Sequence, residues 1–182
     1  MGLIDEKECL FLIIDVQQKL LNAVFNKPLV ERCTSILSQA SQILDIPVVV
    51  TEQYPKGLGY TIETVQNFLS ENAKTFEKTS FSALENDEIK KAVISAGKKQ
   101  IIIFGIETHI CVNQTVFALI EEGFEVFVVS DACGSRDETE HRAGLTRMKS
   151  HGAQIVTTEI VLFELLKSAK HPHFKEIQNL IK

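Results

Sequence analysis

Two kinds of apolar pattern alternate along this chain. Runs at 9–16, 46–51, 100–105, 124–130 and 154–158 are rich in Ile, Leu, Val and Phe, with little polar alternation. A run that is apolar at nearly every position suits a strand covered on both faces, and β-branched side chains favour the extended backbone. Between these runs the apolar spacing changes to that of a helix. Leu29, Cys33, Ile36, Leu37, Ala40 and Leu44 share one face of a helix expected over 28–44, with Pro28 in its first turn. Ile110, Val112, Val116, Leu119 and Ile120 share a face of a second helix over 109–123. Thr108 stands in its N-cap position and Gly123 where a helix stops. Further helices are expected over 138–150, 160–168 and 174–181.

Apolar strands alternating with helices predict an α/β fold: one doubly wound, Rossmann-like, mostly parallel sheet with helices on both faces. No repeat or linker divides the chain, so residues 1–182 form a single domain. The least regular stretch is 52–82, containing Pro55, Gly57 and Gly59. A long irregular segment in such a domain is more often functional than idle.

Ligands of doubly wound sheets bind beyond the carboxyl ends of the strands, where the strand order reverses. Asp15 closes the apolar run 11–15. A carboxylate there needs solvent, a partner or hydrogen bonds. It reads either as a helix cap or as a general base. Cys111 follows the run 100–105, in the first turn of the expected helix. It reads either as an inert core thiol or as a nucleophile whose thiolate the helix dipole favours. Lys78 reads either as a surface lysine or as an ammonium that keeps Asp15 ionised and promotes the thiolate. If the strand from Cys9 is central and the strand ending at Gly105 is its neighbour across the reversal, Asp15 and Cys111 meet.

A net charge of -5 leaves no basic surplus for nucleic acid or an anionic membrane. No apolar stretch approaches the roughly 20 residues that span a bilayer. The acidic stretch 1–8 does not read as a signal peptide. Cys9, Cys33, Cys111 and Cys133 show neither metal-ligand spacing nor a C-x-x-C pair, so free thiols in a cytoplasmic protein are expected. Neither a G-x-G-x-x-G after a strand nor a P-loop is present, and no cofactor is expected.

The order Asp15, Lys78, then Cys111 within Gly105-Ile-Glu-Thr-His-Ile-Cys-Val112 resembles the isochorismatase-like cysteine hydrolase family. The segments 51–61, 131–136 and 171–182 are most similar to its short isochorismatase-domain-containing branch. The resemblance implies Cys111 as nucleophile, Asp15 as base and Lys78 as electrostatic partner. It implies a cis peptide at Ile106–Glu107 that aims the Glu107 and Cys111 backbone N–H groups as an oxyanion hole. It also implies a homo-oligomer acting on a small-molecule substrate: a small amide, ureide or related C–N compound, hydrolysed through a thioester. Gln17, Tyr54, Phe81 and Thr108 are candidate substrate contacts. Nicotinamidases of the family carry an Asp/His/His metal site after the second strand. Glu52, Gln53 and Tyr54 stand there instead, so no metal is expected. The alternative reading is an idle family member that serves as a binding or assembly module.

Overall fold

A computed structural model describes residues 2–182. Met1, the first residue of the stretch 1–8, lies outside them. The order in the chain is β1 (Cys9–Ile14), α1 (Gln18–Leu21), α2 (Lys27–Ile43), β2 (Val48–Gln53), α3 (Pro55–Leu58), α4 (Glu63–Gln66) and β3 (Lys74–Lys78). There follow α5 (Asp87–Ser95), β4 (Gln100–Ile106), α6 (Asn113–Glu121), β5 (Glu125–Gly134), α7 (Glu138–Ser150), β6 (Gln154–Val156), α8 (Thr158–Leu166) and α9 (Phe174–Leu180). The strands form one sheet in the order β3-β2-β1-β4-β5-β6, and every pairing is parallel. The fold class is the one the alternation predicts.

The order reverses at β1. Chain connections run outward from it to β2 and β3, then return across it to β4, β5 and β6. Right-handed crossovers put the helices of the two halves on opposite faces. Helices α2, α8 and α9 pack together over one face, and α5, α6 and α7 cover the other. All six residues of β1 and all seven of β4 are buried, which explains their unbroken apolar sequence. Among the described residues no helix is long and apolar enough to cross a membrane.

Two elements depart from the sequence expectation. The stretch 52–82 is not irregular throughout: it contains β3, whose residues 74–77 are half-buried or exposed. An edge strand with one open side carries the polar pattern Lys-Thr-Phe-Glu-Lys, which has no apolar signature. The strand expected over 124–130 runs on to Gly134, and the register against β4 shifts between Ile103 and Gly105. Cys133 therefore lies within a strand, opposite Gly105.

Gly105 sits where β4 presses on β1. Its φ is 132°, and a β-carbon there would collide with the backbone of Ile14. Only glycine meets both conditions. Gly105→Ala is expected to destabilise the protein by about 3 kcal/mol. Urea unfolding followed by circular dichroism checks this; an unchanged midpoint would show that the two strands separate freely.

Candidate active site

β1 delivers Asp15 one residue past its end, in a left-handed conformation with φ 51°. Asp tolerates that region better than most residues, and the backbone N–H still donates to Thr51 O of β2. The carboxylate is fully buried. Its Oδ1 accepts from the Thr51 hydroxyl at 2.7 Å, and its Oδ2 accepts from Lys78 Nζ at 2.7 Å. Lys78 closes β3 with its side chain equally inaccessible. The ammonium also donates to Gln53 Oε1 at 2.6 Å and to Ser80 O at 3.1 Å. Every charge in this pair is met by a counter-charge and by hydrogen bonds, the condition under which burial is tolerated.

Cys111 comes from the other side of the reversal. The Ile106–Glu107 peptide that leaves β4 is cis. The residues Thr108–Val112 then form a single π-helical turn that leads into α6. Thr108 is not the N-cap: Glu107 holds that position without a side-chain cap bond. The Thr108 hydroxyl is instead 2.8 Å from His141 Nδ1 of α7. Thr115 Oγ1 donates to Cys111 O at 2.7 Å and accepts from Ala83 N at 3.0 Å, tying the turn to the segment that follows Lys78. Gly144 lets α7 close on the turn from behind, since a β-carbon would meet the His109 backbone at 3.0 Å.

A pocket of about 430 Å³ opens above Cys111. Leu20, Leu58, Ile106 and Ile110 supply apolar wall, with Tyr54 and Phe81 among the lining residues. Glu107 and Arg136 line it as well, joined by an ion pair of 2.7 Å. Two of the four expected substrate contacts are thus at the pocket. Gln17 and Thr108 are not. Gln17 is wholly buried, donates to Gln53 O and Gly59 O, and accepts from Gln53 N, so it pins the loop after β2. Thr108 faces α7. Leu20, Leu58 and Arg136 were not legible as pocket residues, and Ile110, within the motif, read as part of an apolar helix face.

Where nicotinamidases carry metal ligands, Glu52 is buried and accepts from Thr61 N and Thr61 Oγ1, both at 2.7 Å. Among the described residues no group of three His, Cys, Asp or Glu side chains is placed to hold a metal. His109 sits in the π turn with Nδ1 3.0 Å from Ser135 Oγ. His141 is half-buried against Phe25, deeper than its polar sequence context suggests.

The Isochorismatase domain matches residues 9–160. The chain belongs to the isochorismatase family. Isochorismatase domain-containing protein 2 of Danio rerio is 40% identical over 181 residues, covering 99% of this chain and 90% of that protein. A solved structure described as MAR1 ribonuclease from Caenorhabditis elegans superposes with a TM-score of 0.93 at 36% identity, over 99% of this chain and 92% of that one. The YcaC gene product of Escherichia coli, described as an octameric hydrolase of unknown specificity, gives a TM-score of 0.91 at 27% identity, over 100% and 95%. Family membership makes this an isochorismatase-like hydrolase in general terms.

In this family member the thiol is not a resting thiolate. Burial pushes the Cys111 pKa up to about 12, and the negative charge of Asp15 adds to it; the Lys78 charge works the other way but does not prevail. Desolvation of a thiol that is 6% exposed works against the thiolate that the helix-dipole expectation favours. A difference titration of thiolate absorbance, wild type minus Cys111→Ser, is expected to show ionisation well above pH 9. Asp15→Asn removes the repulsive charge and is expected to move that ionisation downward. An ionisation below pH 8 in the wild type would overturn the assignment.

Proposed function

We propose that the protein is a cysteine-dependent hydrolase of a small amide, ureide or related C–N compound, with Cys111 as nucleophile, Asp15 as base and Lys78 as the charge that holds Asp15 in place. The observation that carries this reading is the buried Asp15–Lys78 pair at the reversal of the sheet, adjoining a cysteine at the floor of a pocket. A buried ion pair is a weak source of stability, so its presence beside a thiol calls for a chemical reason.

The raised thiol pKa sets the sequence of events. Cys111 keeps its proton until a substrate carbonyl arrives. Asp15 then takes the proton as sulfur attacks carbon, and the carbonyl π pair moves onto oxygen. The Glu107 and Cys111 backbone N–H groups stabilise that oxygen. The tetrahedral species collapses: the C–N bond breaks, and the nitrogen leaves with the proton from Asp15. Water next gives a proton to Asp15 and its oxygen to the thioester carbon. The C–S bond breaks, sulfur recovers the proton, and the net change is amide plus water to acid plus amine.

The pocket wall supports a compact substrate with an apolar body, since Leu20, Leu58, Ile106 and Ile110 surround the thiol together with Tyr54 and Phe81. Ribonuclease, the word attached to the worm relative, suits this site less well. The chain carries a net charge of -5, and the guanidinium at the pocket is already paired with Glu107. The octameric description of the bacterial relative supports self-assembly here too, and exposed Leu3, Ile160 and Phe163 offer apolar surface for it.

A panel of small amides and ureides, read by ammonia release, tests the reading. Cys111→Ala and Asp15→Asn are each expected to lower turnover of an accepted substrate by roughly 10³-fold or more. Wild-type turnover in Cys111→Ala would refute it. Saturable binding of panel compounds without turnover would favour an idle binding module.

A further inference from the structure

Glu107 lines the same pocket as Cys111, yet the chemistry above uses only its backbone N–H and leaves its carboxylate without a role. Its side chain is 9% exposed, whereas that of Arg136 is 65% exposed. Arg136 Nη2 donates to Oε1 at 2.7 Å, Nε donates to Oε2 at 3.1 Å, and the Arg136 backbone N–H donates to Oε2 at 2.9 Å. This is a fork-to-fork pairing with a third donor added, the geometry that arginine makes and lysine cannot. Burial alone raises the Glu107 pKa, but the Arg136 hydrogen bonds and charge outweigh it and hold the carboxyl below its ordinary value. Glu107 is therefore an anion at neutral pH.

Covalent tethering places that anion beside its own N–H, the group offered to the developing oxyanion. An unneutralised carboxylate there opposes the transition state, because like charges repel most where water is excluded. The Arg136 end of the pair lies largely in solvent, where ion pairs contribute little to stability.

We propose that Arg136 is a positioning residue for the hydrolysis: it clamps the Glu107 carboxylate and cancels its charge, so that the backbone donors meet the oxyanion without a competing anion. The proposal rests on the Cys111 reading above. It assigns a purpose to β5 as well, whose extension to Gly134 brings Arg136 to the pocket rim two residues later.

The probe is p-nitrophenyl acetate, followed by first-turnover release of p-nitrophenolate. Sulfur bonds to the acetyl carbon, the C–O bond breaks with its electron pair on the phenolate, and the thiol proton passes to Asp15. Arg136→Met is expected to slow acylation roughly 10- to 100-fold with the half-saturation concentration unchanged. The double variant Glu107→Gln/Arg136→Met is expected to recover most of that loss, with circular dichroism confirming the fold of both. Three results would overturn the clamp: no change in Arg136→Met, a double variant as slow as Arg136→Met, or a loss confined to half-saturation. If Cys111→Ser released p-nitrophenolate as fast as wild type, the Cys111 reading itself would fail and take the clamp with it.

Discussion

The site depends on one constraint: two opposite charges held together with no water to screen them. Asp15 and Lys78 come from strands separated by β2, and neither side chain reaches solvent. Removing either would strand the other in a low-dielectric interior, a loss of about 3–5 kcal/mol in comparable pairs. The middle strand supplies a partner to each, Thr51 to the Asp15 carboxylate and Gln53 to the Lys78 ammonium, and Ser80 O completes the set. Three strands are thereby fixed in register at their carboxyl ends. The same contacts hold the charges and the strand ends together.

The end of β2 carries further commitments beside this pair. Glu52 binds the backbone and hydroxyl of Thr61, Gln53 binds Lys78, and Tyr54 forms pocket wall. Each is committed to the loop after β2 or to the substrate space.

How much of this was legible in the sequence depended on burial. The central strands announced themselves because burial on both faces leaves an unbroken apolar run. With β1 taken as central, their switch point gave Asp15 and Cys111 a meeting place. Edge strand β3 was hidden because its solvent side is polar, and with it the backbone setting of Lys78. Gln17 and Thr108 misled for a related reason. A polar residue near a motif can serve the substrate or the scaffold, and both turned inward to satisfy backbone or helix partners. The ionisation state of Cys111 was not legible either. Sequence position reveals a helix terminus, but desolvation is a property of everything packed around it. Arg136 follows a strand whose register shift no local pattern signals.

All four cysteines are buried free thiols, and packing pushes each to a pKa of about 11 or 12. Reagents that select for thiolates find little to react with in a protein of this kind. A thiolate-selective survey of a chain built this way distinguishes the cysteine at the pocket no better than the three packed in the core.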